Sequence, residues 1–185
     1  MKLLRRAILL NGLLLAARAA GAAPGVVTGG NEYQIKAAYL YKFAAYIEWP
    51  PGAFNQPETP ITIGVMGADD MWEELDRLKR APPVNNRTID IRLLKPGDSL
   101  SGVHILFIGR QEAGRLRRTL ESLQSQPVLT VSEIQGGLGE GSMINFILIE
   151  ERIRFEVSLA PAERCNLKIS ARLLGVAQKI EGKKP

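Results

Sequence analysis

Between residues 32 and 48, apolar side chains recur at Tyr33, Ala37, Leu40, Ala44 and Ile47, the spacing of a stripe along one helical face. Tyr39, Phe43 and Tyr46 form a second stripe beside it, so the predicted helix is apolar around most of its circumference. Asn31, with Gln34 three residues later, marks its start in the manner of a capping box. Trp49-Pro50-Pro51 ends it, because the residue before a proline is driven out of the helical region. The apolar run Ile61 to Met66 then predicts a strand, Gly67 a turn, and residues 70 to 79 a helix capped by Asp69. A loop with Pro82, Pro83, Asn85 and Asn86 leads to Thr88, Ile89, Ile91 and Leu93, whose alternation with Asp90 and Arg92 is that of a half-exposed strand.

The continuous run Val103 to Ile108 predicts a central strand covered on both faces. A helix with Leu116, Leu120 and Leu123 on one face follows, then a short strand at Val128 to Val131. Strands alternating with helices call for an α/β fold in three layers, a mostly parallel sheet flanked by helices. Towards the end the pattern changes, since Met143 to Ile149 and Ile153 to Leu159 are strand-like runs joined by Glu150-Glu151-Arg152. They predict a C-terminal antiparallel hairpin. Ser170 then caps a last helix in which Leu173, Leu174, Ala177 and Ile180 share a face.

Composition places this pattern in one globular domain: 185 residues, 45% apolar and 23% charged. The net charge of +5 has a local origin, because Lys2, Arg5, Arg6 and Arg18 all precede the first acidic residue, Glu32. Without residues 1 to 22 the 24 basic residues fall to 20 against 19 acidic ones, a balance that argues against nucleic-acid binding. Those 22 residues read as a secretory signal peptide: a basic start, an apolar stretch from Ala7 to Ala17, and Ala20-Gly21-Ala22 as the small-residue cleavage pattern. The apolar stretch is too short to span a bilayer, which takes about 20 residues. No cysteine near the cut offers a lipid attachment point. The expected product is a flexible tether over 23 to 30 and a domain over 31 to 181, soluble in the periplasm. Cys165 has no partner within its own chain, so the fold is expected to hold by packing alone.

Candidate chemistry is incomplete at each place it surfaces. Gly97-Asp98-Ser99-Leu100 spells the nucleophile block of the GDSL hydrolases, but that block works with a later histidine and none follows His104. His104 itself lies in the predicted buried strand, so Ser99 reads as part of a polar turn and no enzymatic activity is expected. The glycines of 136 to 141 resemble a phosphate cradle, yet Glu140 has the wrong sign and a strand, not a helix, follows, so the segment reads as a flexible loop. One histidine and one cysteine do not make a zinc site. No metal and no cofactor are expected. His104 reads as a satisfied core histidine, Cys165 as a small buried hydrophobe, and Arg115, Arg117 and Arg118 as a solvated helix face.

Seven of the eleven aromatic residues fall between Tyr33 and Phe54. A helix apolar all round is ordinarily buried, whereas aromatic residues left outside a core tend to anchor interfaces. Both readings stand. The interface reading puts a partner surface on Tyr39, Phe43, Tyr46 and Trp49, with Leu173 and Leu174 of the last helix, while Leu40, Ala44 and Ile47 face the sheet. A rival reading is a small-ligand-binding protein using the crevice at the carboxyl ends of the parallel strands, near Gly67, Gly109, Gly137, Gly139 and Ser142.

Ile35-Lys36-Ala37-Ala38-Tyr39-Leu40-Tyr41-Lys42-Phe43, followed by Ile47-Glu48-Trp49-Pro50, resembles the block that opens the YfiR family of exported bacterial proteins. The order of Ile63-Gly64-Val65-Met66-Gly67, His104 to Ile108 and Val128 to Ser132 agrees. So do Gly141 to Phe146, Arg152 to Val157 and Leu167 to Ser170. The resemblance covers about Asn31 to Ile180. It implies a compact α/β domain without catalytic activity or cofactor. It also implies a negative regulator that binds the periplasmic domain of an inner-membrane diguanylate cyclase of the YfiN kind and lowers cyclic di-GMP output. A homodimer is left open. Family members carrying cysteines around the Gly-rich loop and following strand differ from this chain, which has Gly, Ser and Asn there. Redox control by an internal disulfide is therefore not expected.

Overall fold

The computed structural model describes Val27 and residues 30 to 182. The expected signal peptide and most of the tether lie outside the described residues. Helix α1 (Glu32–Tyr46) runs directly into a two-residue strand, β1 (Ile47–Glu48). Strand β2 (Ile61–Met66), helix α2 (Asp69–Arg77) and strand β3 (Ile89–Leu94) follow. After β4 (Ile105–Ile108) the chain makes a 3-10 segment, Arg110–Arg115, and helix α3 (Leu116–Glu121) before β5 (Leu129–Ser132). The remainder is α4 (Gly137–Glu140), β6 (Ile144–Ile149), β7 (Arg152–Ser158), α5 (Leu159–Arg164), β8 (Lys168–Ile169), α6 (Ala171–Leu174) and β9 (Lys179–Glu181).

Seven strands make one sheet in the order β3-β2-β4-β5-β6-β7-β9. From β3 to β6 all neighbours are parallel; β7 turns back antiparallel to β6, and β9 runs parallel to β7. Alternation along the strands sends Ile61, Ile63, Val65, Ile105, Phe107, Leu129 and Val131 to the core under α1 and α2. Met66, Leu106 and Ile108 face the opposite way and meet Leu116, Leu120 and Leu123 of the α3 region. The sheet thus has helices on both faces, as the strand-helix alternation implies. A second, two-stranded sheet pairs β1 with β8, Ile47 opposite Ile169 and Glu48 opposite Lys168.

Five expectations change. Asn31 makes no side-chain capping hydrogen bond at the start of α1, and Asp69 is the first residue of α2, whose N-cap position is Ala68. The predicted last helix is a single turn, capped by the Ser170 hydroxyl accepting from Leu173 N–H at 3.3 Å and closing at Gly175. Ile180, placed by spacing on its apolar face, instead lies in β9, whose entry is fixed by Gln178 N–H donating to Phe155 O at 2.9 Å. The glycines of 136 to 141 form α4, bracketed by left-handed Gly136 (φ 76°) and Gly141 (φ 111°). Finally, α5 occupies a stretch for which the sequence pattern predicts no element. Its Pro161 stands in the first turn, where the missing N–H costs no helical hydrogen bond.

Gly109 shows what the close packing at the strand ends demands. Its backbone (φ −77°, ψ 171°) suits any residue, but a Cβ there would fall on the Gly67 carbonyl oxygen and 2.6 Å from Ala68 Cβ. Gly109→Ala is therefore expected to cost about 1–3 kcal/mol through overpacking. Gly139→Ala, which meets nothing within 4 Å in α4, should be neutral or stabilising by up to about 1 kcal/mol. Urea melts of the two variants make the comparison; equal stabilities would show that β2 and β4 tolerate separation here.

Candidate functional site

The parallel order sets the exits of β4 and β5 side by side, with Ile108 in register with Ser132. The next residues in each chain, Gly109-Arg110 and Glu133, therefore emerge together at the carboxyl edge of the sheet. The first turns of α1 lie against them. Glu133 is fully buried at its side chain and forms an ion pair with Lys36, itself 2% exposed. Its Oε1 accepts from Tyr33 Oη at 3.0 Å and from the Arg110 backbone N–H at 3.3 Å. Lys36 also pairs with Glu32, one helical turn back, and Arg110 reaches Glu32 and, at 3.8 Å, Glu133.

This is a balanced cluster of two carboxylates and two cations. Burial raises the Glu32 carboxyl, but the hydrogen bonds and charges of Lys36 and Arg110 outweigh it and hold the group below the usual carboxylate range. Burial, then the Glu133 charge, pushes the Tyr33 phenol up, so it stays a donor. Burial also acts to lower Arg110, and the Glu133 and Glu32 carboxylates more than compensate. With both Glu133 oxygens engaged, the cluster fastens α1 to the sheet and leaves no free base. It forms one wall of a cleft of about 320 Å³, whose other wall includes Phe146, Ile147, Leu148 and Ile153.

None of the five residues expected for a ligand crevice lines that cleft. Gly67 (φ 69°) packs under Glu112, and Gly109 is buried against Gly67. Gly137 is closed off by Asn145 Oδ1, 2.6 Å from where a Cβ would stand. Ser142 is fully buried, its hydroxyl without a hydrogen-bond partner, and Gly139 faces open space. Their glycines serve close packing and turns, which is why they do not gather around a cavity.

The aromatic stripe divides. Phe43 is fully buried, stacked on Phe146 at 5.8 Å and edge-on to Phe155 at 5.1 Å, and Leu173 is also core. Tyr39, half-buried, leans on the same rings, 5.7 Å from Phe155. The expectation that Phe43 and Leu173 belong to an exposed surface is thus corrected: α1 is covered by β6, β7 and α6 on the side where these rings point. Tyr46, Trp49 and Leu174 keep part of their surface. Trp49 lines a cleft of about 480 Å³ with Glu48, Pro50, Pro51, Glu163, Asn166, Leu167 and Lys168.

His104 is 4% exposed, and both ring nitrogens meet backbone groups, Thr62 N–H at 3.1 Å and Ala53 O at 3.2 Å. Ser99 Oγ accepts from Ser101 N–H at 3.3 Å within a turn. Cys165 is buried and its Sγ donates towards the Leu123 and Gln124 carbonyls. Among the described residues no three metal-ligating side chains gather, and no helix is long and apolar enough to cross a membrane.

The sequence pattern did not single out Lys36, Glu32, Arg110 or Glu133 as a unit. A usable signal was present in Lys36, a charge within a helix apolar all round, which must find a buried partner. No curated protein matches the chain. The model of the YfiR/HmsC-like family, DUF4154, matches residues 33–178, which runs from the second residue of α1 through β2 to β8 and α6 and stops just short of β9. The chain belongs to the YfiR/HmsC-like family.

Proposed function

We propose that this protein is a non-enzymatic periplasmic regulator that binds an inner-membrane signalling protein, of the YfiN diguanylate cyclase kind, and lowers cyclic di-GMP output. The observation that carries this reading is family membership over nearly the whole domain, residues 33–178. Repression requires that the protein bind the inactive cyclase conformation more tightly than the active one, since equal affinity shifts nothing. The partner surface in this reading is the Trp49 cleft with its neighbours Tyr46 and Leu174. It offers a half-buried aromatic anchor, two prolines and charges of both signs at Glu48, Glu163 and Lys168. Such aromatic anchors in partly desolvated pockets dominate binding energy at interfaces.

Trp49→Ala is expected to weaken binding to the cyclase's periplasmic domain by about 2 kcal/mol, roughly thirtyfold. Calorimetry of the purified pair measures this, and cellular cyclic di-GMP should rise in the same variant. Unchanged affinity would move the interface away from Trp49. An intact chain that neither binds the domain nor lowers cyclic di-GMP when overproduced would overturn the cyclase reading. The cleft of about 320 Å³ beside the charged cluster supports a second reading, a small-ligand sensor.

A further inference from the structure

The entrance to β4, at the sheet edge opposite the charged cluster, carries an arrangement of which the readings above use only Trp49. His104 is fixed there by its backbone, its N–H donating to Thr62 O at 2.9 Å and its carbonyl accepting from Leu129 N–H at 2.8 Å. Its ring faces the irregular segment between β1 and β2. Nδ1 accepts from Thr62 N–H, so Nε2 carries the proton and donates to Ala53 O. The ring stacks on Phe54, centroids 4.4 Å apart and planes 14° apart, with Trp49 edge-on at 6.4 Å. The Arg87 guanidinium lies 3.9 Å from the centre of the same Phe54 ring, necessarily on its other face, and also donates to Gln56 O and Thr59 O.

We propose that His104 is the latch of an acid-sensitive strap: the neutral imidazole pins residues 49 to 60 to the base of the sheet, and its protonation frees them. A proton on Nδ1 would set two donors, the ring N–H and Thr62 N–H, against each other in a buried site. It would also place a second cation across Phe54 from Arg87. The groups facing the ring are Trp49, Phe54 and the Ala53 carbonyl from the strap, the Thr62 amide from β2, and Arg87 from the turn before β3. Glu58, the carboxylate of the strap, is exposed, and among the described residues no carboxylate hydrogen-bonds the imidazole. Because Trp49, Pro50 and Pro51 are the strap's first residues, its release remodels one wall of the cleft of about 480 Å³. The device stands whether or not a cyclase is the partner.

The sign of the pH dependence follows from the ring's surroundings. Burial, aided by the Arg87 charge and opposed by the Ala53 carbonyl, lowers the His104 pKa below its ordinary value. The folded strap therefore favours the neutral ring. The latch is at full strength above about pH 6.5, the unfolded value, and weakens as pH falls towards the folded value.

His104 is the only histidine in the chain, so one imidazole signal in the NMR spectrum of the mature protein reports it without ambiguity. The ring is expected to titrate below free histidine. Over that interval, amide exchange in residues 53 to 60 and Thr62, corrected for intrinsic rates, should accelerate about tenfold per pH unit while β5 stays protected. His104→Asn supplies an acceptor for Thr62 N–H that does not titrate, and its strap should show no such acceleration. Three results would overturn the proposal: a ring titrating at or above the free value, acceleration undiminished in His104→Asn, or loss of protection in all strands together. If His104→Asn fails to fold, the ring titration and segment-resolved exchange of the unmodified protein decide alone.

Discussion

Glu133→Ala is expected to destabilise the domain by about 3–5 kcal/mol, because it strands the Lys36 ammonium in a site with 2% side-chain exposure. Lys36→Ala should cost less, because Glu133, though without exposed side-chain surface, keeps the Tyr33 hydroxyl and the Arg110 backbone N–H as donors and the Arg110 guanidinium at 3.8 Å. Glu32 limits but does not cancel the first loss, since it holds Lys36 from the rim, where its own side chain is 26% exposed. The discriminating variant replaces both partners with apolar residues, Lys36→Met with Glu133→Leu. Removing both charges takes away the desolvation cost along with the attraction, so the double variant should recover most of what either single one loses. Urea unfolding of this double variant beside Lys36→Met and Glu133→Leu alone gives the comparison as a double-mutant cycle. Additive losses would mean that each residue acts separately and that the pair does not fasten α1 to the sheet.

The cluster also shows where sequence reading stops. Strand β2 is legible to the residue, Ile61 to Met66, because an apolar run bounded by Pro60 and Gly67 admits little else. The hairpin of β6 and β7 is legible for the same reason, alternation interrupted once by Glu150-Glu151, both with positive φ. Lys36 and Glu133 stand 97 residues apart. Spacing within a helix reveals that Lys36 needs a partner but not which carboxylate the sheet order delivers. Likewise His104 reads as a buried histidine from its strand, while its partners Ala53 and Phe54 come from a segment with no periodicity.

The misreadings share a cause. Leu173, Leu174, Ala177 and Ile180 have helical spacing, but Gly175 closes the turn and β7 offers Gln178 to Glu181 an unpaired edge. Tertiary pairing overrides a four-residue pattern. The partner surface suffers the same way, since Tyr39, Phe43 and Tyr46 share a helical face without the sequence saying what covers it.

That face yields the second large effect. Phe43→Ala is expected to cost about 3–5 kcal/mol, the loss typical of a buried ring truncated in a packed core. Phe43 has no exposed surface and contacts three aromatic rings, Tyr39 at 6.0 Å, Phe146 at 5.8 Å and Phe155 at 5.1 Å. Removing it opens a cavity between α1 and the β6–β7 hairpin that neighbouring backbone elements are too constrained to fill. Tyr46→Ala, on the same helical face but half-buried, should cost much less. Chemical denaturation separates the two, and the slope m should be unchanged because the native surface is. A Phe43→Ala protein melting within 1 kcal/mol of the unmodified one would place the ring at the surface and restore the continuous aromatic face of α1 as an interface. The expected large loss instead removes Phe43 from the proposed partner surface and leaves it Tyr46 and Trp49, aromatic residues near the start of β1 that keep part of their surface.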